Sequence, residues 1–277
     1  MNWTGIAIDI GIVLYILTIL AIIYTIILEN GNPVRTLAWI LVLVLAPGVG
    51  LFFYIYFGMN YRKIKMFSMK GLGDFKWLQY MSEDQKQRIK KAELLKKEDM
   101  EAVKPLMTLL LNNSKALLSR NNTIEILNNG EATFGSIFKA IAKARKYIHL
   151  EYYIIDKGEL GEKLKELLIA KAKEGVEVRV IYDDVGSWKL PKRYIKEMQA
   201  AGIQIYPFLP VRFPLFTNKV NYRNHRKIVV VDGDTGFIGG LNFADRYLHG
   251  LPGIGIWRDT HLKVKGEAVT SLQVVFL

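Results

Sequence analysis

Two long apolar stretches near the start of the chain constrain its fold more than any other feature. Residues 10–28 are 19 consecutive uncharged positions, and residues 36–61 are another 26 without Asp, Glu, Lys or Arg. As a helix rising 1.5 Å per residue, each stretch can cross a hydrocarbon core of about 30 Å. Gly31 and Pro33 break the helix between them. The sequence therefore predicts a two-helix transmembrane hairpin over residues 1–60, with a kink at Pro47 and Gly48.

The charge distribution predicts how this hairpin is oriented. The formal net charge is +12, yet the interhelical loop carries only Arg35, whereas the segment from Arg62 to Lys97 carries 11 basic and 4 acidic residues. Cytoplasmic flanks of membrane helices are enriched in Lys and Arg. We therefore expect a multi-pass protein of the cell membrane whose catalytic portion is cytoplasmic. A cleaved signal peptide is disfavoured, since the first segment lacks a basic start and an A-x-A-like site.

Residues 61–120 are predicted to form a basic helical linker. Ser82 and Gln85 have the spacing of a capping box, and Pro105 is placed to open a second helix that runs to about Leu118. Such a segment can lie on an anionic membrane surface through its lysines. An ordinary solvated helical linker explains the composition equally well, and both interpretations stay open.

From residue 121 to the end, short apolar runs alternate with helical stretches. The predicted strands are TIEIL, YIHLEYYII, VEVRVIYDD, IQIYPF, KIVVVDG and TGFIGG, with helices near 134–145, 160–174 and 191–201. Strands that alternate with crossover helices are typical of an α/β sandwich, here on a mixed or largely parallel sheet. We expect a hairpin turn at Asp232 and Gly233.

The stretch NHRKIVVVDGDTGFIGGLN carries the candidate chemistry. Strand alternation places His225 and Lys227 on one face, and Asn242 follows across the bend. A neutral imidazole can attack phosphorus, while an ammonium and an amide can hold the phosphate oxygens. Such a site needs no metal or other cofactor. The chain has no Cys, which excludes thiolate zinc sites and cysteine nucleophiles.

The spacing H-x-K-x4-D resembles the motif of the phospholipase D superfamily. In addition, PVRTLAWILVLVLAPGVGLFFYIYFG, YDDVGS and WRDTHLKVKG resemble bacterial cardiolipin synthases of that superfamily. The resemblance implies that His225 is either the nucleophile that forms a phosphohistidine or the acid that protonates the leaving glycerol. It implies that Lys227 and Asn242 bind phosphate and that Asp259 orients the histidine. Asp232 completes the catalytic motif, although turn chemistry alone explains an Asp before Gly.

This resemblance implies a membrane hairpin followed by one phospholipase D-like α/β sandwich lobe over residues 121–277. The implied activity is a phosphatidyl transfer that makes cardiolipin and glycerol from two phosphatidylglycerol molecules in the lipid bilayer, without a cofactor. Hydrolysis, transfer to a different acceptor, and an inactive membrane-anchored half that only binds anionic lipid remain alternatives. The basic charge also suits a nuclease, but the apolar stretches favour lipid, so no nucleic-acid partner is expected.

The chain departs from the resemblance in one respect. Members of the superfamily pair two motifs, and this sequence has one and ends in the apolar helical run EAVTSLQVVFL. We expect either a lobe truncated at its C-terminus, with a second lobe missing, or a homodimer that pairs its single motifs.

Several polar residues outside the motif have open roles. Asp183 and Asp184 follow a strand, where they can contact substrate hydroxyls or cap the turn to the next helix. His149 is expected to be a buried, hydrogen-bonded histidine, and His249 and His261 are expected to be structural.

Overall fold

The computed structural model describes residues 3–28, 33–54, 72–90, 103–211 and 223–277. The described elements fall into two compact units. The first contains α1 (Trp3–Leu28), α2 (Pro33–Leu45) and α3 (Pro47–Phe53). The second contains all elements that follow. The predicted boundaries at residues 60 and 120 stay predictions.

The helices of the first unit pack through a small apolar cluster. Its buried members are Ile26, Leu43 and Tyr54. The predicted kink is confirmed: Ala46, which precedes a proline, has φ −137° and ψ 68° and separates α2 from α3. The second apolar stretch is therefore not one continuous helix in its described part.

Within the described residues, no helix meets the combined length and hydropathy criteria for a membrane span. The two predicted spans thus stay a prediction. The end of the second one, residues 55–61, lies outside the described residues.

Two helices open the second unit, α4 (Leu72–Lys90) and α5 (Lys104–Ser114). The capping-box prediction was wrong, because α4 already begins at Leu72 and both residues lie inside it. Ser82 Oγ instead donates a hydrogen bond of 3.0 Å to the carbonyl of Leu111. The amide of Gln85 exchanges two hydrogen bonds with the backbone of Leu118.

A mixed sheet of seven strands forms the body of this unit, where the sequence predicted a mixed or largely parallel sheet of six. Its strands are β1 (Thr123–Asn128), β2 (Tyr147–Tyr152), β3 (Glu177–Asp183), β4 (Gln204–Phe208), β5 (Lys227–Val231), β6 (Thr235–Gly239) and β7 (Thr260–Lys265). The spatial order is β1-β7-β6-β5-β2-β3-β4. β2, β3 and β4 are parallel, and all other neighbours are antiparallel. β7 was not among the predicted strands.

Helices cover both faces of the sheet. The helices are α6 (Asn129–Ala142), α7 (Glu159–Lys173), α8 (Lys192–Ala200), the short α9 (Arg246–His249) and α10 (Ala268–Phe276). Four side chains of α6 at helical spacing, Phe134, Ile137, Phe138 and Ile141, enter the main core. α10 packs on the opposite face through Val269, against Ile228, Val230 and Val264.

Candidate active site

The motif residues lie at one edge of the sheet because of the strand directions. The parallel strands β2, β3 and β4 end at this edge, and the antiparallel β5 begins there. β6 ends at the same edge and β7 begins there. The edge therefore gathers His225 and Lys227 before and at the start of β5, Asn242 after β6, and Asp259 before β7.

His225 and Lys227 are in direct contact. Lys227 Nζ lies 3.0 Å from His225 Nδ1 and donates to the carbonyl oxygen of His225 at 2.7 Å. The ring of Tyr153 lies against both residues, 4.6 Å from the His225 ring and 5.5 Å from the ammonium. His225 itself is exposed, whereas Lys227 is only 4% exposed. An approaching phosphate would thus meet the imidazole first.

The environment shifts the pKa of both groups downward. Burial lowers the pKa of Lys227 to about 8, while the carboxylate of Asp259 acts in the opposite direction. Partial burial lowers the pKa of His225, the Lys227 ammonium lowers it further, and Asp183 opposes both. At pH 7 the pair therefore consists of a neutral imidazole and an ammonium, which is the combination that nucleophilic attack on a phosphate requires.

Asp183 fixes the segment that precedes the motif, a role that the sequence left open. Its fully buried carboxylate accepts hydrogen bonds from the backbone N–H groups of Val185, Gly186 and Asn224 at 3.1, 2.9 and 2.8 Å, and from the Arg223 guanidinium at 3.2 Å. The carboxylate thus links the end of β3 to the residues just before His225.

Two further carboxylates support the same edge. Asp184 accepts the backbone N–H of Val211 at 2.7 Å. Glu151, which the sequence reading missed, is buried in β2 and accepts a hydrogen bond from the Asn224 side chain. The guanidinium of Arg226 lies 3.6 Å from the same carboxylate. The only sequence signal for Glu151 was a charged residue inside an otherwise apolar strand.

Asn242 is 2% exposed, and the fold uses both ends of its amide. Its oxygen accepts the backbone N–H of Ile154 at 3.0 Å, and its nitrogen donates to the hydroxyl of Tyr247 at 2.9 Å. The amide nitrogen carries two N–H groups and these bonds use one of them, so a phosphate contact would not require Asn242 to give up either bond. Its predicted role in substrate binding stays a prediction.

Asp232 lies at the other end of β5, roughly 16 Å from Lys227 at the rise of an extended strand. Its carboxylate accepts three backbone N–H groups, from Arg145, Lys146 and Tyr147, at 2.9, 2.7 and 3.0 Å. Burial raises the pKa of Asp232, but these three hydrogen bonds outweigh it and the net shift is downward. Through these hydrogen bonds, Asp232 connects the turn after β5 to the start of β2. The predicted hairpin turn is present.

Asp259 and His261 approach the motif from β7. Asp259 packs against Gly240, where an added Cβ would lie 2.4 Å from both carboxylate oxygens. The Asp259 carboxylate raises the pKa of both Lys227 and His261. No hydrogen bond joins Asp259 to His225 among the residues that the structure describes, so the predicted orienting role stays a prediction.

The prediction for His149 is confirmed, and the structural role expected of His249 stays a prediction. His149 is buried, and its Nδ1 is 2.7 Å from Gln273 Nε2. His249 is exposed, and its Nε2 is 3.1 Å from a carboxylate oxygen of Glu159.

Comparison with known proteins agrees with this geometry. Residues 137–254 match the family model described as cardiolipin synthase, PLD-like domain, and residues 10–58 match the phospholipase D-nuclease N-terminal model. A cardiolipin synthase of Halalkalibacterium halodurans is 43% identical over 99% of this chain and 54% of its own length. Cardiolipin synthase 2 of Bacillus cereus is 47% identical over 90% of this chain and 48% of its own length.

Among solved structures, Nuc of Salmonella typhimurium, a phospholipase D family member, aligns with a TM-score of 0.42 at 18% identity, over 56% of this chain and 92% of its own. The cardiolipin synthase, PLD-like family model matches the part of the second unit that contains β2 to β6 and the residues His225, Lys227 and Asn242. Over nearly its whole length, the chain is a homologue of bacterial cardiolipin synthases. It spans about half the length of the curated relatives it matches.

Proposed function

We propose that this chain is part of a phosphatidyl transferase that makes cardiolipin and glycerol from two phosphatidylglycerol molecules. The observation that carries the proposal is the His225 and Lys227 pair, a neutral imidazole and an ammonium 3.0 Å apart at the exposed edge of a phospholipase D-like sheet. The similarity to cardiolipin synthases supports the choice of product.

In the first half-reaction, a ring nitrogen of His225 attacks the phosphorus of one phosphatidylglycerol. The P–N bond forms, the P–O bond to the terminal glycerol breaks, and the glycerol oxygen takes a proton from an acid. In the second half-reaction, a hydroxyl of another phosphatidylglycerol loses its proton to that same group and attacks the phosphohistidine. Cardiolipin leaves and the imidazole is restored. Lys227 stabilises the negative charge on the phosphate oxygens in both transition states.

The acid must stand on the side of phosphorus opposite to His225, and one imidazole cannot occupy both places. We propose that a second motif histidine supplies it, from a further lobe of a longer protein or from a partner copy of this chain.

We also propose that α1 and α2 hold the protein in the cell membrane with the catalytic portion on the cytoplasmic side. Apolar side chains exposed on these helices support this, among them Ile10, Ile16, Leu20, Leu37, Leu41 and Leu45. Large exposed apolar surfaces are rare on proteins that meet only water. The matching N-terminal family model over residues 10–58 covers these helices.

The test is incubation of the full-length protein with phosphatidylglycerol vesicles, with lipid products separated by thin-layer chromatography. We expect cardiolipin, free glycerol and a lipid-labelled protein intermediate that is lost in His225→Ala. The matched control is His249→Ala, which removes an exposed histidine paired with Glu159. Phosphatidic acid as the main product would assign the site to hydrolysis, and no turnover by the full-length protein would overturn the proposal. If a dimer supplies the second histidine, His225→Ala subunits will also inactivate wild-type partners in mixed dimers.

A further inference from the structure

His261, Gly239 and Lys227 lie in one row across three neighbouring strands. Gly239 of β6 is directly opposite His261 of β7, and the pairing of Ile228 with Ile238 places Lys227 opposite Gly239 one step further along. Side chains of directly opposed residues point to the same face of a sheet. Lys227 and His261 therefore share a face and are separated only by a residue without a side chain.

The imidazole of His261 fills the space that a side chain at position 239 would occupy. A Cβ added to Gly239 would lie 2.3 Å from His261 Nδ1 and 2.4 Å from Cγ. Two strand spacings separate the Cα atoms of Lys227 and His261 by about 10 Å. Because the ring already leans over the middle strand, the flexible Lys227 side chain can span the remaining distance.

The polar atoms of His261 have no partner in the described part of the chain. The residue is 0% exposed, and neither Nδ1 nor Nε2 has a hydrogen-bond partner among the described residues. An unsatisfied buried polar group destabilises the folded state, so a residue that served packing alone would be better apolar. His149, the other buried histidine of the sheet, does have a partner, Gln273.

His261 is also neutral under ordinary conditions. Burial lowers its pKa to about 4, with Asp259 raising it and Lys227 lowering it. In a neutral imidazole one nitrogen is a hydrogen-bond acceptor. Among the described residues, the Lys227 ammonium makes two hydrogen bonds, and both go to His225.

We propose that His261 is a positioning residue of the phosphate site: its buried acceptor nitrogen, held over Gly239, binds the Lys227 ammonium when that ammonium turns from His225 to a phosphate. This inference rests on the proposed function for its role in turnover. The hydrogen bond itself can be tested without turnover. It explains why a buried ring with no hydrogen-bond partner among the described residues lies on the same face of the sheet as Lys227.

The direct test follows the ring nitrogens of His261 by ¹⁵N NMR in the full chain, with inorganic phosphate as the probe. We expect phosphate to shift one His261 nitrogen and to leave His249 unchanged. Lys227→Met should abolish the His261 shift, because the hydrogen-bond donor is gone. A His261 spectrum that phosphate does not change would overturn the proposal.

The second test compares His261→Leu with His261→Gln in the turnover assay. Leucine fills the space without an acceptor, so we expect turnover to fall about 10-fold to 100-fold, as for a misplaced catalytic group. The alkaline pH limit of turnover in His261→Leu should also lie below that of the wild type. Because glutamine keeps an acceptor, His261→Gln should recover much of the turnover and of the alkaline limit.

If His261→Leu does not fold, Gly239→Ala displaces the ring from the opposite side and should give the same result. Wild-type turnover and an unchanged alkaline limit in the leucine variant would overturn the proposal. If phosphate shifts the His261 nitrogen but the full-length enzyme forms no cardiolipin, the proposed function fails and the positioning role stands.

Discussion

The Nζ atom of Lys227 lies 3.0 Å from Nδ1 of His225. An ammonium only donates, so Nδ1 is the acceptor and the proton of the neutral ring is on Nε2. A protonated Nε2 cannot attack phosphorus. On the proposed mechanism, a phosphate that draws Lys227 away frees Nδ1 to carry the proton and leaves Nε2 as the nucleophile. Substrate binding would thus activate the histidine through the lysine.

Lys227→Met should lower turnover by at least about 10²-fold, as does the loss of an oxyanion donor, because the charge on the phosphate oxygens loses its counter-ion. The assay is cardiolipin formation by the full-length enzyme at saturating phosphatidylglycerol. Lys263→Met is the control, since this strand lysine pairs with Glu125 and not with the motif. Wild-type turnover in Lys227→Met would remove the lysine from the mechanism.

Turnover should depend on pH with two limits. It should rise with pH through the pKa of His225, which lies below its ordinary value of 6.5, because the attacking imidazole must be neutral. It should fall as pH rises through about 8, where Lys227 loses its proton. Lys227→Arg stays charged and should move the alkaline limit upward, as measured by the pH profile of kcat. If the alkaline limit is unchanged in Lys227→Arg, the group that sets this limit is not Lys227.

Asp232→Ala should destabilise the domain by about 2 kcal/mol, because three backbone N–H groups lose their acceptor. Asp232→Asn should cost less, since Asn keeps an acceptor and tolerates the positive φ of 53° at this position. Urea unfolding measures both values. The folded Asn variant should keep its turnover, and a loss comparable to that of Lys227→Met would instead place Asp232 in the chemistry.

The stabilisation by Asp232 should also depend on pH. Because the pKa of the folded state is lowered from 3.8, the contribution is complete above the pKa of the unfolded chain. It should disappear as pH falls through the lower, folded value. Unfolding curves of wild type and Asp232→Asn should therefore converge in acid, and a constant difference between them would contradict the assignment.

The proposed orientation in the membrane predicts a protease result. In sealed inside-out vesicles, added protease should digest the second unit, because the basic flank after the hairpin favours the cytoplasmic side. In right-side-out vesicles the second unit should be protected. The reverse pattern would invert the topology, and complete release of the protein by carbonate would show that the hairpin is not inserted.

Local patterns predicted those parts of the fold that depend on neighbouring residues. The short apolar runs of β2, β3 and β5 and the helical spacing of α6 are local, and these elements appear where they were predicted. β7 was missed because its lysines interrupt the apolar pattern, and it is defined by pairing with β1 and β6. The antiparallel direction of β1, β5, β6 and β7 relative to their neighbours likewise depends on contacts between distant segments.

The residues of the site likewise divide into those that a local pattern predicts and those that only the fold brings together. His225 and Lys227 were found because the motif places them two residues apart, just before and at the start of β5. The roles of Glu151, Asp183 and His261 depend on strand order, which brings β2, β3 and β7 to the edge where β5 begins. Without knowledge of the strand order, the sequence gives no reason to connect His261 with Lys227.

The pairing of β1 with β7 also has a consequence for synthesis in the cell. Thr123 pairs with Lys265, 142 residues later in the chain. At about 5–20 residues per second, the ribosome needs roughly 7–28 s to deliver the partner strand after β1 has been made. During that time β1, with Ile124 and Ile126 still 59% and 65% exposed in the finished fold, has an unpaired edge. The nascent chain therefore passes through a period in which it is open to wrong strand pairing, and a chaperone would protect it best then.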